Sequence, residues 1–246
     1  MVSRHADPVL RTECAIPPAG HQPPSRSVDS IRMRSTAAIG LLLVSALLVS
    51  ASAQAGRFRP EQERLRPVDV ALAKRMTVRA SDLASGWLRR PSPESPDERL
   101  DCPGVDLDFS RFTLTGTARS KFEQSGASIE SFVEVYKSRA DATGDFRKGS
   151  RPVVLACIAR LLDKEARRNG SRVVAARSLA DPRVGDQSMA YRVALSVATD
   201  RGAVPVYVDF LGFRRGRTAV LLAFTAGGAP ITHQRQVARA VDARAR

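Results

Sequence analysis

At 246 residues, 43% of them hydrophobic, the chain is long enough to bury a sizeable core and too apolar to be disordered throughout. With only three histidines and three cysteines, it offers no Cys- or His-rich spacing for a transition-metal centre, so no cofactor is expected. Its 39 Lys+Arg against 25 Asp+Glu give a net charge of +14, which attracts polyanions in general, but the Arg-over-Lys, Ala-rich composition is also what a GC-rich gene encodes and nominates no specific nucleic-acid site.

Residues 1–32 carry Pro8, Pro17, Pro18, Pro23 and Pro24 with no apolar periodicity, and read as a disordered extension upstream of an effective start at Met33. Residues 33–55 read as a signal peptide. Arg34 supplies the basic start, residues 37–49 the apolar run, and Ala51-Ser52-Ala53-Gln54-Ala55 the small-residue end. Cleavage after Ala53 or Ala55 fits, and the second is preferred. An apolar run this short falls below the about 20 residues a spanning helix needs, so membrane contact is expected only if the segment stays uncleaved. Cleavage after Ala55 leaves 191 residues; it removes Arg4, Arg11, Arg26, Arg32 and Arg34 with Asp7, Glu13 and Asp29, so the charge becomes +12. Residues 56–67 are charged and read as a linker, and 68–246 as a secreted α+β domain.

Within that domain, 68–74 suits a short helix, and Trp87 a core anchor. Phe112, Leu114, Gly116, Ala118 and Ser120 alternate with polar residues, which predicts a strand; 129–137 predicts a second. Ser138 can cap a helix over 139–148, ended by Gly149, and Pro152 suits the first turn of a helix over 152–168. Residues 173–179 predict a third strand. Met189, Tyr191, Val193, Leu195 and Val197 then give the cleanest alternation in the chain. Val204, Val206, Val208 and Phe210 follow, then Val220, Leu222 and Phe224, whose apolar intervening positions predict a central strand covered on both faces. Residues 231–244 predict a closing helix. The expected fold is therefore α+β, a single antiparallel sheet of about six strands with helices packed on it and one disulfide.

That disulfide is expected between Cys102 and Cys157, the even pair left after export, with two buried thiols as the alternative. Arg214, Arg215 and Arg217 bunch at one predicted hairpin and are the candidate anion-binding residues; the competing reading is a soluble turn guarded against edge pairing. The carboxylate pairs Asp141/Asp145 and Glu130/Glu134 read as ordinary exposed positions within a helix and a strand. Asp101, Asp106 and Asp108 lack the spacing of a calcium loop. No nucleophile elbow is present, and His233 has no matched partner, so no catalytic residue is nominated.

Five short features occur together: Asp82-Leu83-x-x-Gly86-Trp87, Gly116-x-Ala118-x-Ser120, the pair Cys102/Cys157, Gly185-Asp186-x-Ser188-x-x-Tyr191-Arg192 and the Gly216-Arg217 hairpin. Over residues 70–245 they resemble small secreted proteins of high-GC bacteria related to the extracytoplasmic sensor domains of mycobacterial serine/threonine kinases, with PsbP-like secreted lipoproteins as a neighbouring comparison. The resemblance implies a sheet-plus-helices fold and a binding or sensing role, without chemistry. This chain has no kinase domain and one expected disulfide where those sensor domains carry two, so a signalling role does not carry over. The expected function is that of an exported, non-catalytic envelope or secreted protein that binds a ligand or an envelope component, anionic ones included. The alternative is a secreted hydrolase with an unrecognised active site.

Overall fold

The computed structural model describes residues 62–92, 102, 105 and 108–245. In chain order the elements are β1 (Gln62–Glu63), α1 (Pro67–Arg75), a 3-10 turn (Ala80–Asp82), β2 (Leu88–Arg90), β3 (Thr113–Gln124), β4 (Ala127–Tyr136), α2 (Arg139–Gly149), α3 (Pro152–Arg167), β5 (Arg172–Ser178), β6 (Gln187–Thr199), β7 (Gly202–Arg215), β8 (Thr218–Gly227) and α4 (Gln234–Ala243). The signal-peptide segment and the extension before it lie outside the described residues. Among the described residues no helix is long and apolar enough to cross a membrane.

The expectation of a purely antiparallel sheet of about six strands is corrected: the sheet is mixed and has eight strands. Its order is β1-β3-β4-β8-β7-β6-β5, with β2 also on β3. The six expected strands are present, and β8 lies centrally between β4 and β7. The two additions share the outer edge of β3. β1 runs parallel to its start, Gln62 opposite Thr113, and β2 antiparallel to its end, Leu88 opposite Glu123. Both are too short to show alternation, and β1 falls inside the stretch read as linker. Backbone hydrogen bonds make its pairing, continued by Arg64 N–H to Leu114 O (2.8 Å) and Arg66 N–H to Thr115 O (2.7 Å).

Local signals explain the helix boundaries. The Ser138 hydroxyl accepts from the Asp141 N–H (3.0 Å) and caps α2, while prolines open α1 and α3 where a missing N–H costs nothing. The last helix starts at Gln234, later than expected, with His233 at its N-cap.

Both faces of the sheet are covered. On one, Ile129 and Val133 of β4, Leu211 and Phe213 of β7, and Val220, Leu222 and Phe224 of β8 pack against Ala73 and Met76 of α1 and Val237, Ala238 and Val241 of α4. Trp87 is partly buried against this group. On the other, Tyr191, Val193 and Leu195 of β6 and Val206, Val208 and Phe210 of β7 meet Leu155, Leu162 and Ala166 of α3. A smaller group, Phe109, Phe112, Leu114, Tyr136 and Ala142, joins β3 and β4 to α2.

One close approach needs a glycine. A Cβ on Gly116 would stand 2.4 Å from the Asp69 carbonyl, so only glycine lets α1 lie this near β3.

Candidate functional site

The residues singled out by sequence divide into two groups. Cys102 and Cys157 are bonded, with Cα atoms 5.7 Å apart, and Cys157 is buried on α3. The three arginines occupy the β7–β8 hairpin as expected, but they do not converge. Arg214 is buried, its guanidinium donating to Gln187 Oε1 (2.9 Å), Asp186 Oδ2 (3.1 Å) and Gly216 O (2.6 Å). Arg215 turns to the opposite face, where it pairs with Asp242 and also meets Asp186 Oδ1 (3.2 Å). Arg217 pairs with Asp69 and donates to Tyr136 O (3.0 Å). All three cations are thus engaged by carboxylates of the same chain.

A different group of residues forms a cleft, in the angle between α2 and the second face of the sheet. Phe132 and Glu134 come from β4, Asp145, Phe146 and Gly149 from α2, Met189 from β6, Gly212 from β7, and Ala219 and Leu221 from β8. Its volume is about 80 Å³, room for a few waters or a small organic group. Gly212 makes the space. A Cβ there would stand 2.7 Å from Met189 Cε and 3.6 Å from Phe146 Cε2, and its neighbours Leu211 and Phe213 carry bulk to the other face.

Two carboxyl groups stand in this apolar setting. Glu134 is half-buried, and Asp145 is 8% exposed. This corrects the reading of both as ordinary surface acids. Tyr136, two residues along the same strand face and fully buried, donates its hydroxyl proton to Glu134 Oε2 (2.8 Å). A phenol has one proton to donate, and here Glu134 receives it. Asp145 Oδ1 remains buried without a hydrogen-bond partner.

The electrostatics agree with this geometry. Burial, then the charge of Asp145, pushes Glu134 up to about 8 despite the Tyr136 hydrogen bond and the positive charge of Arg119. Burial likewise pushes Asp145 up to about 7, against the nearby Tyr136 hydroxyl and the charge of Lys148. Tyr136 is raised well above its ordinary range by burial and by both acids. The two carboxyls titrate as a coupled pair, holding about one proton near neutral pH.

Other buried acids of the chain hold cations: Asp209 takes Arg192 through two hydrogen bonds (2.6 and 2.7 Å), Asp69 takes Arg217, and Glu130 takes Lys121 (3.3 Å). Among the described residues neither Glu134 nor Asp145 forms an ion pair, and no group of three or more His, Cys, Asp or Glu could hold a metal ion.

The sequence carried one signal for this site. Ala142, Asp145, Phe146 and Gly149 follow the i, i+3, i+4, i+7 spacing of a helix's inward face, so Asp145 occupies a core position.

No protein-family model and no curated protein matches the chain. Among solved structures, an uncharacterized Mycobacterium smegmatis protein (the Rv0999 ortholog) is similar at 12% identity and a TM-score of 0.33, over 66% of this chain and 78% of that one. A likeness at that score carries no argument about fold or function.

Proposed function

We propose that this is an exported, non-catalytic binding protein whose ligand occupies the cleft between α2 and the sheet. The observation that carries the reading is the buried Asp145 Oδ1, left without a partner in a cleft whose other side chains, Glu134 apart, are apolar. A buried polar atom without a hydrogen bond costs about 1–3 kcal/mol, a cost that a ligand donor would remove. A small apolar cleft with a few convergent polar groups is the usual form of a ligand site. The resemblance to extracytoplasmic sensor domains favours binding over turnover.

Export is supported by the Cys102–Cys157 bond, since such bonds persist in oxidising compartments, and by the signal-peptide pattern of residues 33–55. Intact mass of the protein from the host's extracytoplasmic fraction should begin at Gly56. A cytoplasmic product retaining residues 33–55 would overturn the address.

Gly212→Val tests the cleft itself. A Cβ at this position stands 2.7 Å from Met189 Cε, so valine must displace that flexible side chain and takes up the space beside Phe146. Binding of the native ligand, recovered by extracting the protein from its host, should be lost while the far-UV circular dichroism is unchanged. Undiminished binding by this variant would place the ligand elsewhere.

One observation favours a second reading, a secreted hydrolase: carboxyls held near neutrality are suited to general acid–base work. Hydrolysis of a chromogenic glycoside or ester panel that disappears in Glu134→Gln would select it.

A further inference from the structure

The chain places cations on its buried acids wherever the fold allows. Asp209, Asp69, Glu130 and Asp242 are each met by arginine or lysine, in a protein with 39 such residues. In the cleft it does otherwise. Glu134 and Asp145 face a space bordered by Phe132, Phe146, Met189 and Leu221, and the nearest basic side chains are committed elsewhere. Arg119 lies over the Phe132 ring at 5.1 Å, and Lys148 donates to Asp108 O and lies over the Phe109 ring. The cleft therefore presents a carboxyl pair, one atom of it unpartnered, at the end of an apolar slot.

Resting on the binding reading above, we propose that the ligand is a small organic amine, its ammonium group held by Glu134 and Asp145 and its hydrocarbon body between Phe132, Phe146 and Met189. An ammonium offers three donors and a positive charge. It satisfies Asp145 Oδ1, takes the free lone pairs of Glu134 and replaces the shared proton, which passes to the buffer. A neutral alcohol offers one donor and no charge, and a carboxylate ligand adds negative charge to a pair that is already negative. The aromatic face of Phe146 also tolerates a cation at close range.

The exchange of a proton for an ammonium makes binding pH-dependent. The groups that set it are Tyr136 on the same strand, Arg119 from β3, Glu63 from β1 and Lys148 one turn along α2. Affinity should rise with pH across the range in which the pair loses its proton, by up to about tenfold per pH unit for one proton displaced.

The experiment is an NMR titration of the isotopically labelled protein with three probes of equal chain length, n-hexylamine, 1-hexanol and hexanoate, read at the Met189 methyl and the Gly212 amide at pH 6 and pH 8. The expected result is n-hexylamine about tenfold tighter than 1-hexanol at pH 8, weaker at pH 6, with hexanoate weakest. Glu134→Gln/Asp145→Asn should erase the preference for the amine over 1-hexanol and its dependence on pH. Equal binding of amine and alcohol, or amine affinity independent of pH, overturns the amine and leaves the binding cleft standing. No shift at Met189 or Gly212 with any of the three probes overturns both.

Discussion

Replacing Cys102 and Cys157 by alanine should lower the unfolding free energy by about 4 kcal/mol, because the bond closes a loop across a sequence separation of 55 and that closure is entropy withheld from the unfolded chain. In a domain of this size the loss corresponds to roughly 8–16 °C in melting temperature. Reduction of the native protein should reproduce it. Cys157 is buried on α3, and alanine there leaves only a small void, so packing contributes little to the change. Urea unfolding of the double variant, with and without reductant, checks the claim: reductant should lower the native midpoint and leave that of the variant unmoved. Equal midpoints for native and variant proteins under oxidising conditions would contradict it.

Arg217→Ala should cost about 3 kcal/mol, the low end for breaking a buried ion pair, since the arginine keeps part of its side chain in solvent. The cost lies mainly with the partner. Asp69 is fully buried beneath the approach of α1 to Gly116, with Oδ2 already unpartnered. Arg217 also holds Tyr136 O, so its loss slackens β4 where the candidate site begins. The arginine's hydrogen bond keeps the Asp69 carboxyl below its ordinary range. Its removal lets Asp69 take up a proton more readily, and the deficit should shrink as pH falls towards about 4. Adding Asp69→Ala should recover much of the loss, because a buried charge without its partner is the costly species. Chemical denaturation at pH 7 and pH 4 separates these cases.

Much of the architecture was legible because local chemistry and burial coincide. The alternation from Met189 to Val197 is β6, Ser138 caps α2 by the hydrogen bond its position implies, and the continuous apolar run around Leu222 lies at the centre of the sheet. β1 and β2 were not legible. Two or three residues held by backbone hydrogen bonds at an edge leave no side-chain period to read, and the parallel pairing of β1 depends on where α1 docks. The arginine hairpin was placed correctly as a turn. Its carboxylate partners, Asp69, Asp186 and Asp242, come from distant parts of the chain, so the use of its charges could not be read locally.

The site was hidden for a related reason. Periodicity compares residues on one element and therefore set Glu134 beside Glu130 and Asp145 beside Asp141, whereas the structure brings Glu134 of β4 and Asp145 of α2 into one cleft. The spacing of Ala142, Asp145, Phe146 and Gly149 sets Asp145 on the inward face of α2, but nothing on β4 alone distinguishes a surface acid from one buried against that helix.

This pairing also shapes stability against pH. Glu134 and Asp145 are raised in the folded state, so their contribution is complete below about pH 4 and is lost as pH rises through 7 and 8. Asp69, Asp181 and Asp186 are lowered, so theirs is present above about pH 4 and is lost as pH falls below it. The protein should be most stable in mildly acidic solution, and Glu134→Gln should flatten the decline between about pH 5 and pH 8.

The central claim is that Glu134 and Asp145 share a buried, proton-holding site, and an NMR titration of their carboxyl carbons in the ligand-free protein tests it most directly. The expected result is two coupled transitions near neutrality, close to 7 and 8, that collapse towards ordinary single-site behaviour when either residue is replaced by its amide. Independent titration of both groups near 4 would contradict the claim, and the cleft would then hold two ordinary acids with no special call for a ligand.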